Sequence, residues 1–158
     1  MKKAIFFDRD NTLIIDSHYM YKLEDLKFYP ETFSTLSKLK ERGYVFFIVS
    51  NQSGLGRKLF TREQLDIFHA KMLEDFAEQG IEFIEVAFCP HHPDEKCDCR
   101  KPKPKIVLEL IDKYDIDKTR SYFVGDRESD YKCGINAGLH SIKIKDGHEL
   151  PTLLDLVD

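Results

Sequence analysis

A chain of 158 residues with a net charge of -4 and 42% hydrophobic residues is the size of one folded domain, 1–158, and can bury a single substantial core. Its charge balance leaves no broad basic face for a nucleic-acid backbone, so any anion site must be local. No apolar run near the N-terminus reaches the length of a signal-peptide core or a membrane span, which predicts a cytoplasmic protein whose four cysteines are thiols or metal ligands rather than disulfides.

Lys3 to Phe7 is a short apolar run that stops abruptly at Asp8 and Asp10. It predicts a buried strand of an open parallel sheet that delivers both acids to the crevice beyond its C-terminal end. On extended chain, residues i and i+2 project to one side. One carboxylate can then attack an electrophile, as in aspartyl-phosphate formation, while the other protonates the leaving oxygen and later deprotonates water. Acids after a strand also solvate loops or cap helices, so the pair needs support from the rest of the chain.

Ile14 to Phe28 reads as irregular, with Asp16, His18 and Tyr19 placed to line the mouth of that crevice or simply to form an exposed loop. Pro30-Glu31 opens a helix with Phe33, Leu36 and Leu39 on its apolar stripe, and Gly43 ends it. Tyr44 to Ser50 is a second buried strand. The following Asn51-Gln52-Ser53-Gly54-Leu55-Gly56 offers amide, hydroxyl and glycine backbone groups that can cradle a phosphate or form a plain polar turn. Thr61 to Gln79 is a helix with a Thr61…Gln64 capping box. On it, His69 lies beside the apolar positions as a structural residue.

Phe83 to Phe88 predicts a third strand, and the loop after it carries Cys89, His91, Cys97 and Cys99. Three thiolates and one imidazole satisfy tetrahedral Zn²⁺ with no open position, so the metal would be structural. His92 has the spacing to replace His91. Arg100 and Lys101 follow the last ligand, where a metal-fixed loop would pre-organise them for an anionic substrate. A helix from Lys105 to Tyr114 leads to a fourth strand, Arg120 to Gly125, ending at Asp126. With Asp8, Asp126 can hold Mg²⁺. Asp130 falls in the first turn of the next helix, as a cap or as an orienting group for a ligand, and Cys133 reads as a buried thiol. A fifth strand, Leu139 to Ile144, and a short closing helix, Leu150 to Val157, complete the chain.

Phe7-Asp8-Arg9-Asp10-Asn11-Thr12, Ser50-Asn51-Gln52, Lys101 and Gly125-Asp126-x-x-x-Asp130 together resemble, in order, the four motifs of the haloacid dehalogenase superfamily of phosphatases. The resemblance implies a Rossmann-like α/β fold, a central mostly parallel sheet with helices on both faces. It implies Asp8 as nucleophile, Asp10 as acid/base, Ser50 and Lys101 on the phosphoryl group, and Mg²⁺ held by Asp8, the Asp10 carbonyl and Asp126. Asn11 stands where the family pattern has glycine, and asparagine tolerates left-handed backbone better than most residues.

The cysteine loop narrows the resemblance to the capless, zinc-loop branch that contains heptose-bisphosphate phosphatases and the histidinol-phosphate phosphatase domain. The segment Tyr19 to Tyr44 and Asn51-Gln52-Ser53-Gly54 look like the heptose type, whereas the short interval between the ligand pairs resembles the histidinol type. The heptose features imply a heptose 1,7-bisphosphate 7-phosphatase that supplies activated heptose for a cell-surface glycan, with histidinol phosphate as the alternative substrate. Either way, the resemblance implies substrate contacts from Asp16, His18, Tyr19, Asn51, Gln52, Ser53, Arg100 and Arg127. The expected partner is a small phosphorylated metabolite, not nucleic acid or membrane, acted on by a monomer. A phosphate-storing receiver domain is disfavoured by Asp10, and a zinc-stabilised binding module with a dead site by the full set of acids.

Overall fold

The computed structural model describes all residues from Met1 to Asp158. Five strands form one sheet in the order β3-β2-β1-β4-β5, from β1 (Ala4–Phe7), β2 (Val45–Asn51), β3 (Glu85–Cys89), β4 (Tyr122–Gly125) and β5 (His140–Lys143). All four pairings are parallel, so the expected "mostly parallel" sheet is wholly so. The helices are α1 (Thr32–Glu41), the single turn α2 (Ser53–Gly56), α3 (Arg62–Glu78), α4 (Lys105–Tyr114), α5 (Glu128–Asn136) and α6 (Leu153–Leu156).

Alternation along the strands sorts the core into two layers. Ile5, Phe7, Phe46 and Ile48 pack against Leu36 and Leu39 of α1, Phe68, Met72 and Phe76 of α3, and Leu153 of α6. Ala4, Phe6, Phe47 and Val49 face the other way, onto Val107, Leu110 and Ile111 of α4 and Cys133 of α5. In the second layer Phe6 stacks on Phe47 at 4.7 Å. Burying a side chain of this size contributes about 1.5–3 kcal/mol, so truncating Phe6 would loosen both neighbouring strands.

Several boundaries differ from the sequence expectation, each for a local reason. The third strand starts at Glu85 because Phe83 turns its ring into the core against Phe76 and Phe46. The fourth starts at Tyr122 because Lys118–Arg120 forms a tight turn capped by the Asp117 carboxylate. The closing helix is a 3-10 turn, Gly147–Thr152, before α6, with Pro151 inside it. The α3 capping box forms as expected, Thr61 accepting from the Gln64 N–H.

Because every strand runs the same way, all C-terminal ends meet at one edge. The chain leaves β1 toward β2 and β3, then returns to lay β4 and β5 on its other side. The crevice of an open α/β sheet opens where the winding reverses, here between β1 and β4. Residues 8–31, which follow β1, are irregular apart from a 3-10 turn at Leu23–Asp25, are pinned by bridges of Ile14 to Asp10 and Phe28, and form no cap domain over the crevice.

Candidate active site

Asp8 follows β1 directly, and its N–H still donates to Val124 at 3.0 Å, so its carboxylate leaves the sheet at the switch point. Lys101 arrives from the cysteine loop and is almost fully buried. Its Nζ lies 2.8 Å from Asp8 Oδ1, 2.7 Å from Asp130 Oδ1 and 2.8 Å from the Val49 carbonyl, which uses all three ammonium donors. Asn51 clamps the Lys101 backbone, accepting from its N–H at 3.1 Å and donating to its carbonyl at 3.4 Å.

Burial pushes the Asp8 carboxyl up to about 8; Lys101 pulls against this, while Asp130 and Asp10 add to the rise. Burial also pulls Lys101 down, but Asp8 and Asp130 outweigh it and hold the ammonium above its ordinary value. One ammonium thus stands between two carboxylates, Asp8 and Asp130.

Asp8, Asp126 and Asp130 bring carboxylate oxygens within 4.8 Å of one another. Both Asp130 oxygens already have protein partners, since Oδ1 meets Lys101 and Oδ2 accepts the Arg127 N–H at 3.1 Å, making it both a helix cap and an orienting group. Gly125 permits this approach, because a Cβ there would lie 2.4 Å from the Asp130 carboxylate. Asp126 differs: Oδ2 accepts from Asn11, whereas Oδ1 is buried with no partner. A buried carboxylate oxygen with no partner, on a residue that clusters with Asp8, fits a hard divalent cation such as Mg²⁺.

Asp10 sits at the rim of this centre. Its oxygens take the Arg9 Nε at 2.6 Å and Nη2 at 3.1 Å. Arg9 is completely buried, 5.0 Å from the Phe68 ring, and also donates to Gln52 Oε1 at 3.2 Å and His69 Nε2 at 2.9 Å. An arginine can only donate, so His69 must accept as the neutral Nδ1–H tautomer. Burial, aided by Arg9, pushes the His69 pKa down to about 3. Gln52 Nε2 bonds Ser50 Oγ at 2.6 Å and reaches Asp10 at 3.4 Å. His69 is structural, as expected, but it carries Asp10 through Arg9.

Two adjoining cavities open from here and share Asp10, Asn51, Arg100 and Arg127. The inner one, about 290 Å³, exposes Asp8, Lys101 and Ser129. The outer one, about 230 Å³, is lined by Asp16, His18, Tyr19, Gln52, Ser53 and Arg57. All eight residues expected to meet substrate line these cavities, although Asn51 and Gln52 direct their amides mainly to protein partners. His18 and Tyr19 occupy left-handed backbone, φ 64 and 51, with the His18 N–H held by Asp16 at 2.8 Å.

Arg57, Ser129 and Arg9 escaped the sequence reading. Arg57 lies over Tyr19 at 5.7 Å and donates to Ser53 at 3.3 Å. Its only signal is its place just past the glycine-rich turn.

In the cysteine loop, donor atoms of Cys89, His91, Cys97 and Cys99 lie within 4.8 Å of one another. Cys89 and Cys97 sulfurs lie 3.7 Å apart and Cys99 lies 4.0 Å from His91 Nδ1, near the edge of a Zn²⁺ tetrahedron, roughly 3.8 Å for Zn–S bonds. Cys99 and Cys89 sulfurs, by contrast, are only 2.8 Å apart and would have to separate around an ion. His92 turns away, accepting the Asp94 N–H on Nδ1, so His91 is the fourth donor. Burial pushes the bare Cys89 thiol up to about 12, a group that needs a cation to exist as thiolate. Gly56 lets the loop dock on α2, since a Cβ there would lie 2.4 Å from the His92 nitrogen.

Residues 3–141 match the family model described as polynucleotide kinase 3 phosphatase. The D-glycero-beta-D-manno-heptose-1,7-bisphosphate 7-phosphatase of Haemophilus influenzae is 41% identical over 87% of this chain and 78% of that protein. The histidine biosynthesis bifunctional protein HisB of Campylobacter jejuni is 42% identical over 90% of this chain, which spans only 41% of that relative's length. The crystal structure of D,D-heptose 1,7-bisphosphate phosphatase from B. bronchiseptica, complexed with magnesium and phosphate, superposes with a TM-score of 0.85 at 30% identity, covering 97% of this chain and 86% of that one. With its parallel sheet, Asp8, Ser50 and Asp126 at strand ends and Lys101 brought in beside them, the chain belongs to the haloacid dehalogenase superfamily, together with these heptose-bisphosphate and histidine-biosynthesis relatives.

Proposed function

We propose that this protein is a Mg²⁺-dependent phosphomonoesterase that removes the 7-phosphate of D-glycero-D-manno-heptose 1,7-bisphosphate. Asp8 attacks phosphorus and forms an aspartyl phosphate as the ester P–O bond breaks, and Asp10 gives its proton to the departing alkoxide. Water then attacks the same phosphorus, passes a proton to Asp10 and frees Asp8. Lys101 and the Ser50 hydroxyl hold the transferring oxygens. Mg²⁺, held by Asp8, Asp126 and the Asp10 carbonyl, would supply the positive charge that the acidic centre and the phosphoryl group both need. Zn²⁺ on Cys89, His91, Cys97 and Cys99 would keep Arg100 and Lys101 in place.

The observation that carries the substrate is the outer cavity. Arg57, Arg100 and Arg127 converge on it against only two acids, Asp10 and Asp16, and Arg100 Nη1 is buried without a partner. Such a pocket suits a second phosphate and repels the ammonium group of histidinol phosphate. The rival substrate is favoured by the short interval between zinc ligands and by the relatives in histidine biosynthesis.

The test is kcat/KM with Mg²⁺ on both anomers of the heptose bisphosphate, on histidinol phosphate and on a 3′-phosphorylated oligonucleotide. A heptose preference of at least roughly 100-fold is expected, about 2.7 kcal/mol of transition-state discrimination. The reverse preference would reassign the enzyme to histidinol phosphate. The oligonucleotide should turn over far more slowly, since the outer cavity offers a single aromatic ring, Tyr19, and no series of rings on which successive bases could stack.

A further inference from the structure

Asn11 is the point where this chain leaves the superfamily pattern, and the structure gives its side chain a task that glycine could not perform. Its backbone is left-handed, φ 62. Glycine would adopt that conformation more readily, so backbone preference does not account for the asparagine here. Its Nδ2 donates to Asp126 Oδ2 at 3.0 Å, and its Oδ1 accepts from the Tyr29 hydroxyl at 2.6 Å. The orientation of the amide is fixed by chemistry, because a carboxylate can only accept and so must face the NH₂ group. The phenol then has to donate, and burial together with Asp146 and Asp126 raises its pKa and keeps its proton on.

Tyr29 is itself held fast. Its ring meets His148 edge-on at 4.9 Å, and a Cβ on Gly147 would fall 2.1 Å from the ring, so the backbone there closes directly over it. The relay therefore starts in the packed wall beside the closing helix and ends on one oxygen of Asp126. The other oxygen, Oδ1, is left buried and unpartnered, on a residue that clusters with Asp8.

We infer that Asn11 and Tyr29 are positioning residues for the divalent cation, a hydrogen-bonded relay that ties one oxygen of Asp126 to the protein and presents the other to Mg²⁺. The inference rests on the Mg²⁺ reading proposed for this centre. Groups that orient a metal ligand from behind commonly change metal affinity by about 10–100-fold.

The experiment is calorimetric titration of Mg²⁺ into the zinc-loaded protein without substrate, for the wild type, Asn11→Gly and Tyr29→Phe, alongside thermal melting without Mg²⁺. Asn11→Gly should weaken Mg²⁺ binding roughly 10-fold or more while its Mg²⁺-free melting temperature stays equal or rises. Tyr29→Phe, which leaves the backbone of residue 11 untouched, should weaken binding in the same direction by a smaller factor. Binding within about twofold of wild type in either variant would overturn the relay alone. A wild type that takes up no Mg²⁺ would overturn the relay and the metal reading together.

Discussion

The acidic centre and the cysteine loop lie side by side, yet they are held in opposite ways. Asp8, Ser50 and Asp126 stand at ends of strands in a fully parallel sheet, and Asp130 in the first turn of α5, so backbone pairing alone places them. Of the four metal donors in the loop, only Cys89 belongs to a strand; His91, Cys97 and Cys99 lie where the chain has neither helix nor ladder. The centre is built by hydrogen bonds and burial, the loop by the ligation it invites. Lys101 belongs to both, since it is carried by the loop and buried among the acids. A site can thus be rigid because of its sheet and still depend on a separate element for the cation beside its Asp8 carboxylate.

The sharpest break in this picture is Asp8→Asn, which removes chemistry without removing order. Turnover should fall by roughly 10⁴-fold or more, as losses of a nucleophile commonly do. Melting temperature should hold or rise, because burial opposes the Asp8 charge. An active, folded variant would refute the covalent step.

Stripping zinc should break the other half. Elemental analysis is expected to give about one zinc per chain, and its removal with a chelator should cost roughly 100-fold in kcat/KM as Lys101 and Arg100 lose their placement. The circular dichroism of the sheet and helices should remain, and a chain that loses both together would show that the loop also holds the fold.

The smallest effect sharpens the comparison from within the centre. His69 is held neutral, its pKa down at about 3 against an ordinary 6.5, so the unfolded chain takes up a proton that the folded one refuses. This contribution to stability is present above pH 6.5 and is lost as pH falls toward 3. In chemical denaturation, His69→Gln should flatten the loss between pH 6.5 and 5 by about 1.5 kcal/mol. An unchanged slope would place the acid sensitivity elsewhere.

Much of this was legible in the chain itself. Strands buried on both faces leave continuous apolar runs, which is why Val45 to Ser50 and Lys3 to Phe7 could be read directly. Residues at their ends had to meet in a parallel sheet. Boundaries shifted where a side chain rather than a backbone pattern decided, as with Phe83. Arg9 was hidden because alternation points it away from Asp10, and only a guanidinium long enough to fold back restores the contact. The Tyr29 hydroxyl that steadies Asp126 through Asn11 had no local signal, since the contact exists only after the closing turn packs over it.

The loop has one further property. Its donors fall in two pairs at its roots, while Pro93 to Lys96 between them are exposed. The first root is stitched to β2, where Cys89 pairs with Asn51 and its carbonyl accepts the Gln52 N–H at 2.8 Å. The span between the roots can therefore grow or shrink in solvent without shifting any reacting atom. Such a segment is a natural graft point, where added length would be carried in solvent and leave the chemistry untouched.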